Sequence, residues 1–384
     1  MMQDSFNIKL YDSSDTDFLD WTDSEDDQYA KNFLLPMIKN GTSDYINNVK
    51  TLLMILKIDD LILPITINDA EYENSYVCSP YTHYISYAVE ELKTIKNPFI
   101  ELILAYLIRL LGIVFKFGKI NKTVHINNWL LSTNLYPTIS HKQIEKITEF
   151  LIQRFPEHSL IFRSVNNYTD KEFLNKFQEN NYQLIPSRQI YFLNKDLIKG
   201  KAKWLIKKDF KLQEKSGYEL LENKDFSPGD IPRIKELYDN LYLSKYSYLN
   251  PQFNENFIDL ALKNKILNIR AFQKAGKIDA VLGYFFRNGI MTTPLFGYDT
   301  SLPIETGLYR MLSAQLIKES EKSKLILNQS SGAASFKRCR ASEAQIEYSA
   351  VYCRHLTLYR RIIWSILEFT LNKIGLNLLK KYKL

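Results

Sequence analysis

Apolar residues along the chain fall into short runs. These alternate between the two-residue period of a strand and the three-to-four-residue period of a helix. After a polar start, 28–40 reads as a helix. Thr51–Ile58 and Leu61–Ile67 flank the polar pair Asp59-Asp60 and read as a hairpin, in which Pro64 requires a bulge or an edge position. Residues 86–117 read as helix, and Pro98–Phe117 is nearly apolar enough to cross a bilayer. Glu101, Arg109 and Lys116 lie inside that run, and each charge at a bilayer centre costs ~2.5–3.5 kcal/mol. The expectation is a buried or membrane-surface helix rather than a span. Strand 122–133, helix 141–154, strand 159–165, helix 170–180 and strand 182–193 follow, so the first half closes near residue 195.

The second half repeats the alternation. A basic linking helix covers 199–215, a strand 218–222, and a helix 230–243 opens at Ser227-Pro228-Gly229-Asp230. Residues 254–263 read as a further helix. Strands at 266–274, 277–287 and 290–298 are separated by the turn pairs Ala275-Gly276 and Asn288-Gly289. Helix 305–322, strands 325–329 and 345–352, and a basic, apolar helix over 358–380 complete the chain. The fold class is α/β, with mixed sheets in the α+β manner. Four segments are expected: an acidic, flexible 1–27, an N-terminal lobe 28–197, a C-terminal lobe 198–355, and a basic amphipathic C-terminal helix 356–384.

Composition narrows the class. The 384 residues are 45% hydrophobic and carry a formal charge of +7. Residues 1–27 hold nine carboxylates against Lys9, so the body beyond them is strongly basic. Such a body suits an anionic partner (a phosphorylated cofactor, an acidic carrier protein, RNA or an anionic membrane) or is a solvated lysine surface. The acidic start is the opposite of a secretory leader, and the expected setting is cytoplasmic, with peripheral attachment at the inner membrane face as an option. Cys78, Cys339 and Cys353 show no paired spacing, so neither a disulfide framework nor a metal site is expected.

P-loop, dinucleotide, nucleophile-elbow and HExxH patterns are all absent from the sequence. The order of elements over 266–352 resembles a GNAT acyltransferase domain. Leu325–Gln329, the small-residue turn Ser330-Ser331-Gly332-Ala333-Ala334 and then Phe336-Lys337-Arg338 resemble the end of FemAB-like domains, in which two such lobes stand in tandem. The first half would be the degenerate copy. The resemblance implies an N-acyltransferase or aminoacyltransferase whose acceptor amine attacks an activated carbonyl directly. No tightly bound cofactor is implied; the donor would be acyl-CoA, acyl carrier protein or aminoacyl-tRNA. The junction Ser301-Leu302-Pro303-Ile304-Glu305-Thr306-Gly307 departs from the glycine-rich loop with which GNAT enzymes hold a pyrophosphate.

Within that frame strand 290–299 is the splayed central strand, loosened by Pro294, and its exit offers Tyr298 as an acid and Asp299 as a base. His83, in the uncharged stretch Cys78–Tyr84, is a second candidate base, and Glu347 could face the same cleft. Ser330, Ser331 and Gly332 with Lys337, Arg338 and Arg340 form the candidate anion site for the donor. The polar residues Asn127, Asn128, Ser132, Thr133 and Asn134 read as a buried hydrogen-bond network. The C-terminal helix is either an interfacial membrane helix or a helix docked on its own core. Two rival readings remain: a noncatalytic binding module of the same fold, and a basic RNA-binding protein.

Overall fold

The computed structural model describes residues 6–94, 97–169 and 172–376. The chain divides into two compact units. Among the described residues, the first holds those up to Ser187, with Leu249–Gln252 and 347–376; the second holds Arg188–Tyr248 and Phe253–Ile346.

The first unit contains β1 (Ile8–Tyr11), α1 (Glu25–Asn40), β2 (Leu52–Ile58), β3 (Leu61–Asn68), α2 (Tyr87–Glu91), α3 (Pro98–Phe117), β4 (Thr123–Ile126), α4 (His141–Arg154), β5 (Ser159–Val165) and α5 (Phe173–Glu179). Strands β1 to β4 pair antiparallel in sequence order. Strand β4 then pairs parallel with β5 across the α4 crossover, the connection that parallel strands need. β6 (Gln183–Leu193) carries the chain over the boundary at Ser187.

The second unit contains α6 (Gly200–Lys215), β7 (Glu219–Glu222), α7 (Ile231–Tyr238), α8 (Glu255–Lys263), β8 (Asn268–Lys274), β9 (Lys277–Arg287), β10 (Ile290–Tyr298), α9 (Leu308–Lys322), β11 (Ile326–Asn328) and α10 (Ala334–Arg338). Its strands β7 to β10 are again antiparallel neighbours, and β10 pairs parallel with β11 across α9. The hairpin turns are those expected: Ala275-Gly276 and Asn288-Gly289 take left-handed φ of 49° and 77°, and of 48° and 75°.

The two units share one strand order, and each ends on an antiparallel strand drawn from the other half of the sequence. β12 (Ser342–Tyr352) pairs with β5 in the first unit, Tyr348 opposite Val165. In the second, Phe192 of β6 lies opposite Asn328 of β11. Each unit has its own core. Leu56, Ile65, Ile126, Ile147, Leu160 and Phe162 fill the first; Phe272, Leu282, Met291, Met311, Leu312 and Leu327 fill the second.

Several details differ from the sequence reading. Ile8–Tyr11, inside the stretch expected to be flexible, is an edge strand on β2. Strand β4 stops at Ile126, because Asn127 and Leu130 take φ of 55° and 58° and turn the chain into a polar loop. Pro64 needs no bulge: the β3–β4 ladder stops one residue away at Ile65, and the Pro64 carbonyl accepts from the Asn128 N–H at 2.9 Å. Of the two expectations for α3, full burial is not what is found: one face packs inward through Ala105, Gly112 and Phe115, and the other is open. α11 (Leu358–Thr370) docks on the first unit through Arg360, Ile363, Trp364 and Leu367, while Leu358, Tyr359, Ile362 and Phe369 stay exposed. Lys380, Lys381 and Lys383 lie outside the described residues.

Candidate active site

The site is set by how closely α7 lies on β10. A side-chain carbon at Gly297 would stand 2.4 Å from the carbonyl carbon and oxygen of Leu237, so only glycine allows the approach. Upstream, Pro294 cannot donate to a ladder, and the register against β9 slips between Thr292 and Leu295. The strand regains its pairing with β9 through Tyr298, while its parallel ladder with β11 ends at Thr292, so its exit is open on the β11 side. The turn of helix after α7, Asp239–Tyr246, carries Lys245 over that exit. Lys245 Nζ donates to the Tyr298 hydroxyl at 3.0 Å and lies 5.6 Å from its ring centroid.

Aromatic rings wall this pair. Tyr298 meets Tyr309 at 6.2 Å between centroids, and Tyr309 meets Phe336 edge-on at 4.8 Å. Burial, with Tyr246, Tyr242 and Tyr298 adding to it, pushes the Tyr309 hydroxyl far above its ordinary range. The hydrogen bond to Tyr298 raises the Lys245 ammonium against the opposing pull of burial. Lys245 therefore stays a cation at neutral pH.

Phe336 connects this wall to the turn at 329–333. Ser330, Gly332 and Ala333 all take left-handed φ, of 57°, 77° and 48°. The Tyr246 hydroxyl lies 3.9 Å from the place a Gly332 side chain would occupy. Lys337 holds the turn from within. Its buried Nζ donates to the carbonyls of Gln329, Ser330 and Ser331 at 2.7, 3.3 and 2.6 Å. Burial, with the Arg188 guanidinium nearby, lowers this lysine to about 7. A trans peptide points its N–H opposite to its C=O. With the carbonyls of Ser330 and Ser331 turned toward Lys337, the N–H groups of Ser331 and Gly332 face the other way, on the exposed side of the turn.

The expected cation cluster therefore takes a different form. Lys337 is spent on backbone carbonyls. Arg340 lies flat on Phe336, 3.5 Å from the ring centroid, and donates through Nε to Asp209 at 2.5 Å. Asp209, buried on α6, also accepts from Arg310 at 2.7 Å. Arg338 is half-buried against Tyr191, its Nη1 3.4 Å from the hydroxyl.

Asp299 is equally committed. Its carboxylate accepts from Arg233 at 2.7 Å, Lys277 at 3.0 Å, and both the N–H and hydroxyl of Ser301 at 3.0 and 2.5 Å. Burial alone would raise this acid, but the bonds from Ser301, Arg233 and Lys277 hold it well below the usual carboxylate range. A carboxylate so satisfied is a poor proton acceptor. Lys277 and Asp279 also line a cavity of about 740 Å³ in the second unit, with Tyr218, Lys274, Leu302 and Glu305. Leu302 and Glu305 come from the junction that lacks a glycine-rich loop.

His83 and Glu347 belong to the first unit. His83 Nε2 is 2.9 Å from the Ser187 hydroxyl, and its ring packs on Tyr76 and Tyr84. Glu347 is buried, close enough to Tyr84 and Tyr136 for its charge to oppose their ionisation. The polar stretch 127–134 forms the network its composition suggests. Asn128 donates to Thr66 Oγ1 and the Val77 carbonyl, the Trp129 indole donates to Asn127, and Arg163 donates to Val77 and Asn128. Among the described residues no group of three or more His, Cys, Asp or Glu side chains is placed to hold a metal ion.

Sequence reading missed Lys245, Tyr246 and Tyr309. A signal was present: Tyr238, Tyr242 and Tyr246 recur every fourth residue, one aromatic stripe on a helical face.

No family model matches the sequence, and no curated protein matches it. Solved structures match it at low identity and low TM-score. L-PGS from Bacillus licheniformis is 16% identical, with a TM-score of 0.44 over 59% of this chain and 78% of that one. FemX is 6% identical, with a TM-score of 0.44 over 58% of this chain and 80% of that one. A protein of Enterococcus faecalis described as a probable N-acyltransferase is 10% identical, with a TM-score of 0.35 over 92% of this chain and 74% of that one. Within this chain itself, the two units repeat one strand order.

Proposed function

We propose that the second unit is an N-acyltransferase or aminoacyltransferase centre. The observation that carries this reading is the Lys245–Tyr298 pair at the open exit of β10, joined through Tyr309 and Phe336 to a turn whose outward amides are fixed by Lys337. In the proposed step the acceptor amine attacks the carbonyl carbon of a thioester or ester. The amides of Ser331 and Gly332 stabilise the oxyanion. As the carbonyl re-forms, the bond to sulfur or oxygen breaks, and Tyr298 gives its proton to the leaving group. The transient phenolate, stabilised by Lys245, then takes the proton from the new ammonium, so that the phenol is restored. No covalent enzyme intermediate is required.

The test offers acyl-CoA, acyl carrier protein and aminoacyl-tRNA in turn with primary-amine acceptors, at two salt concentrations, and measures amide formation by mass spectrometry. Transfer from one donor, lost in Tyr298→Phe, supports the reading. A donor that binds but is never consumed favours a noncatalytic module, and RNA binding without a need for an aminoacyl group favours the RNA-binding alternative. A loss of binding on raising salt marks the RNA donor.

A further inference from the structure

Helix α3 presents an open face with no charged side chain along its centre. Phe99, Leu102, Tyr106 and Phe117 are 71%, 67%, 63% and 80% exposed, and Ile103, Leu107, Leu110, Ile113 and Val114 are exposed between them. At 3.6 residues per turn these positions form one continuous stripe over all 20 residues, about 30 Å long. Soluble proteins rarely leave so large an apolar patch open. The cations are placed at its border. Arg109 and Lys116, both exposed, are two turns apart along one edge, and Lys119 follows at the C-terminal end. Lys116 is supported from behind, its Nζ 5.1 and 4.7 Å from the ring centroids of Tyr72 and Tyr81. The only carboxylate on α3, Glu101, is in its first turn, at the opposite end from Lys116.

We propose that α3 is a membrane-docking helix that lies in the plane of an anionic lipid surface, its open face among the acyl chains and Arg109, Lys116 and Lys119 at the phosphates. Its length and hydropathy would also suit a span, but its inner face excludes one. Ala105, Gly112 and Phe115 are packed on the first unit's core, and Gly112 has the Tyr81 hydroxyl 2.9 Å from where a side-chain carbon would be. A helix fastened along one side to a folded body enters the bilayer only to the depth of its free side chains. The exposed α11 residues Leu358, Tyr359 and Ile362 extend the same surface, because Ile363 packs on Gly118 and Arg360 donates to the carbonyls of Gly118 and Lys119 at the end of α3. A second copy of the chain would bring the same cations to the border, where they repel; anionic headgroups complement them.

The test is co-sedimentation of the full chain with vesicles of phosphatidylcholine alone or mixed equally with phosphatidylglycerol. Binding is expected to the mixed vesicles and to fall at least tenfold in Leu102→Glu/Leu110→Glu, whose melting temperature should be unchanged because both positions face solvent. Arg109→Gln/Lys116→Gln should lose the preference for phosphatidylglycerol. Tryptophans placed singly at Phe99, Tyr106 and Phe117 should all be quenched by shallow brominated lipids; deep quenching at position 106 alone indicates a span and overturns the proposal. Equal binding by the Leu102/Leu110 variant overturns it too. So does a lipid-free, concentration-dependent dimer that this variant abolishes, if vesicles fail to bind the wild type.

Discussion

Arg340 and Asp209 form a buried ion pair at 2.5 Å, with the guanidinium lying on the Phe336 ring. The pair ties the segment after α10 to α6, and Arg310 joins it from α9. Removing Arg340 strips the buried Asp209 carboxylate of one of its two cations and leaves it with the more exposed Arg310. Arg340→Gln is therefore expected to cost about 1.5–3 kcal/mol, the value of a hydrogen bond to a charged group, read by chemical denaturation. Arg338→Gln, at a half-buried position, should cost less than about 1 kcal/mol.

Tyr298→Phe and Lys245→Met each remove one half of the proposed proton relay without emptying a core site. Each should lower the transfer rate about 10²-fold or more, with thermal stability little changed. The double variant should be no worse than the poorer single one, since the two groups act as a unit. Steady-state rates with the active donor check both points.

Gly297→Ala pushes a side-chain carbon into the α7 backbone, which cannot rotate away. A loss of about 3 kcal/mol is expected, at the upper end for overpacking. Activity should fall with it, because α7 positions Lys245. If instead the variant is fully stable, α7 does not lie on β10 at this residue.

Asp299 sets a pH limit. Its carboxyl is held below the ordinary range in the folded protein, so its contribution is complete above the unfolded value, near pH ~4. It is lost as pH falls further, toward the folded value. Asp299→Asn should be less stable than the wild type at neutral pH, and its stability should fall less steeply below pH 4. Urea denaturation across pH 2–7 separates the two curves.

Much of the second unit was legible because its signals are local. Asn288-Gly289, Ala275-Gly276 and the Pro294 irregularity each act within a few residues of their effect, and the small-residue turn at 330–334 marked its own place. What escaped reading depends on partners distant in sequence. Nothing around Arg340 announces that Asp209 will neutralise it, and nothing around Lys337 shows that it will turn toward carbonyls behind it. Lys245 looked like one more surface lysine, because its role depends on Gly297 admitting α7 to the strand. Apolar content predicted α3 as a helix, but only the packed structure shows which side of it remains open.

The reciprocal placement of β6 and β12 has a consequence in time. A ribosome delivers the chain from its N-terminus, and domains ordinarily fold as they emerge. Here the first unit lacks its closing strand until Tyr352 has been made, so β5 waits with an unpaired edge through the synthesis of nearly the whole second half. During that interval the exposed edge is open to pairing with another nascent chain. The second unit, whose closing strand β6 is made before it, can be completed first, and a chain cleaved between β6 and β7 would yield two fragments that fold fully only in each other's presence.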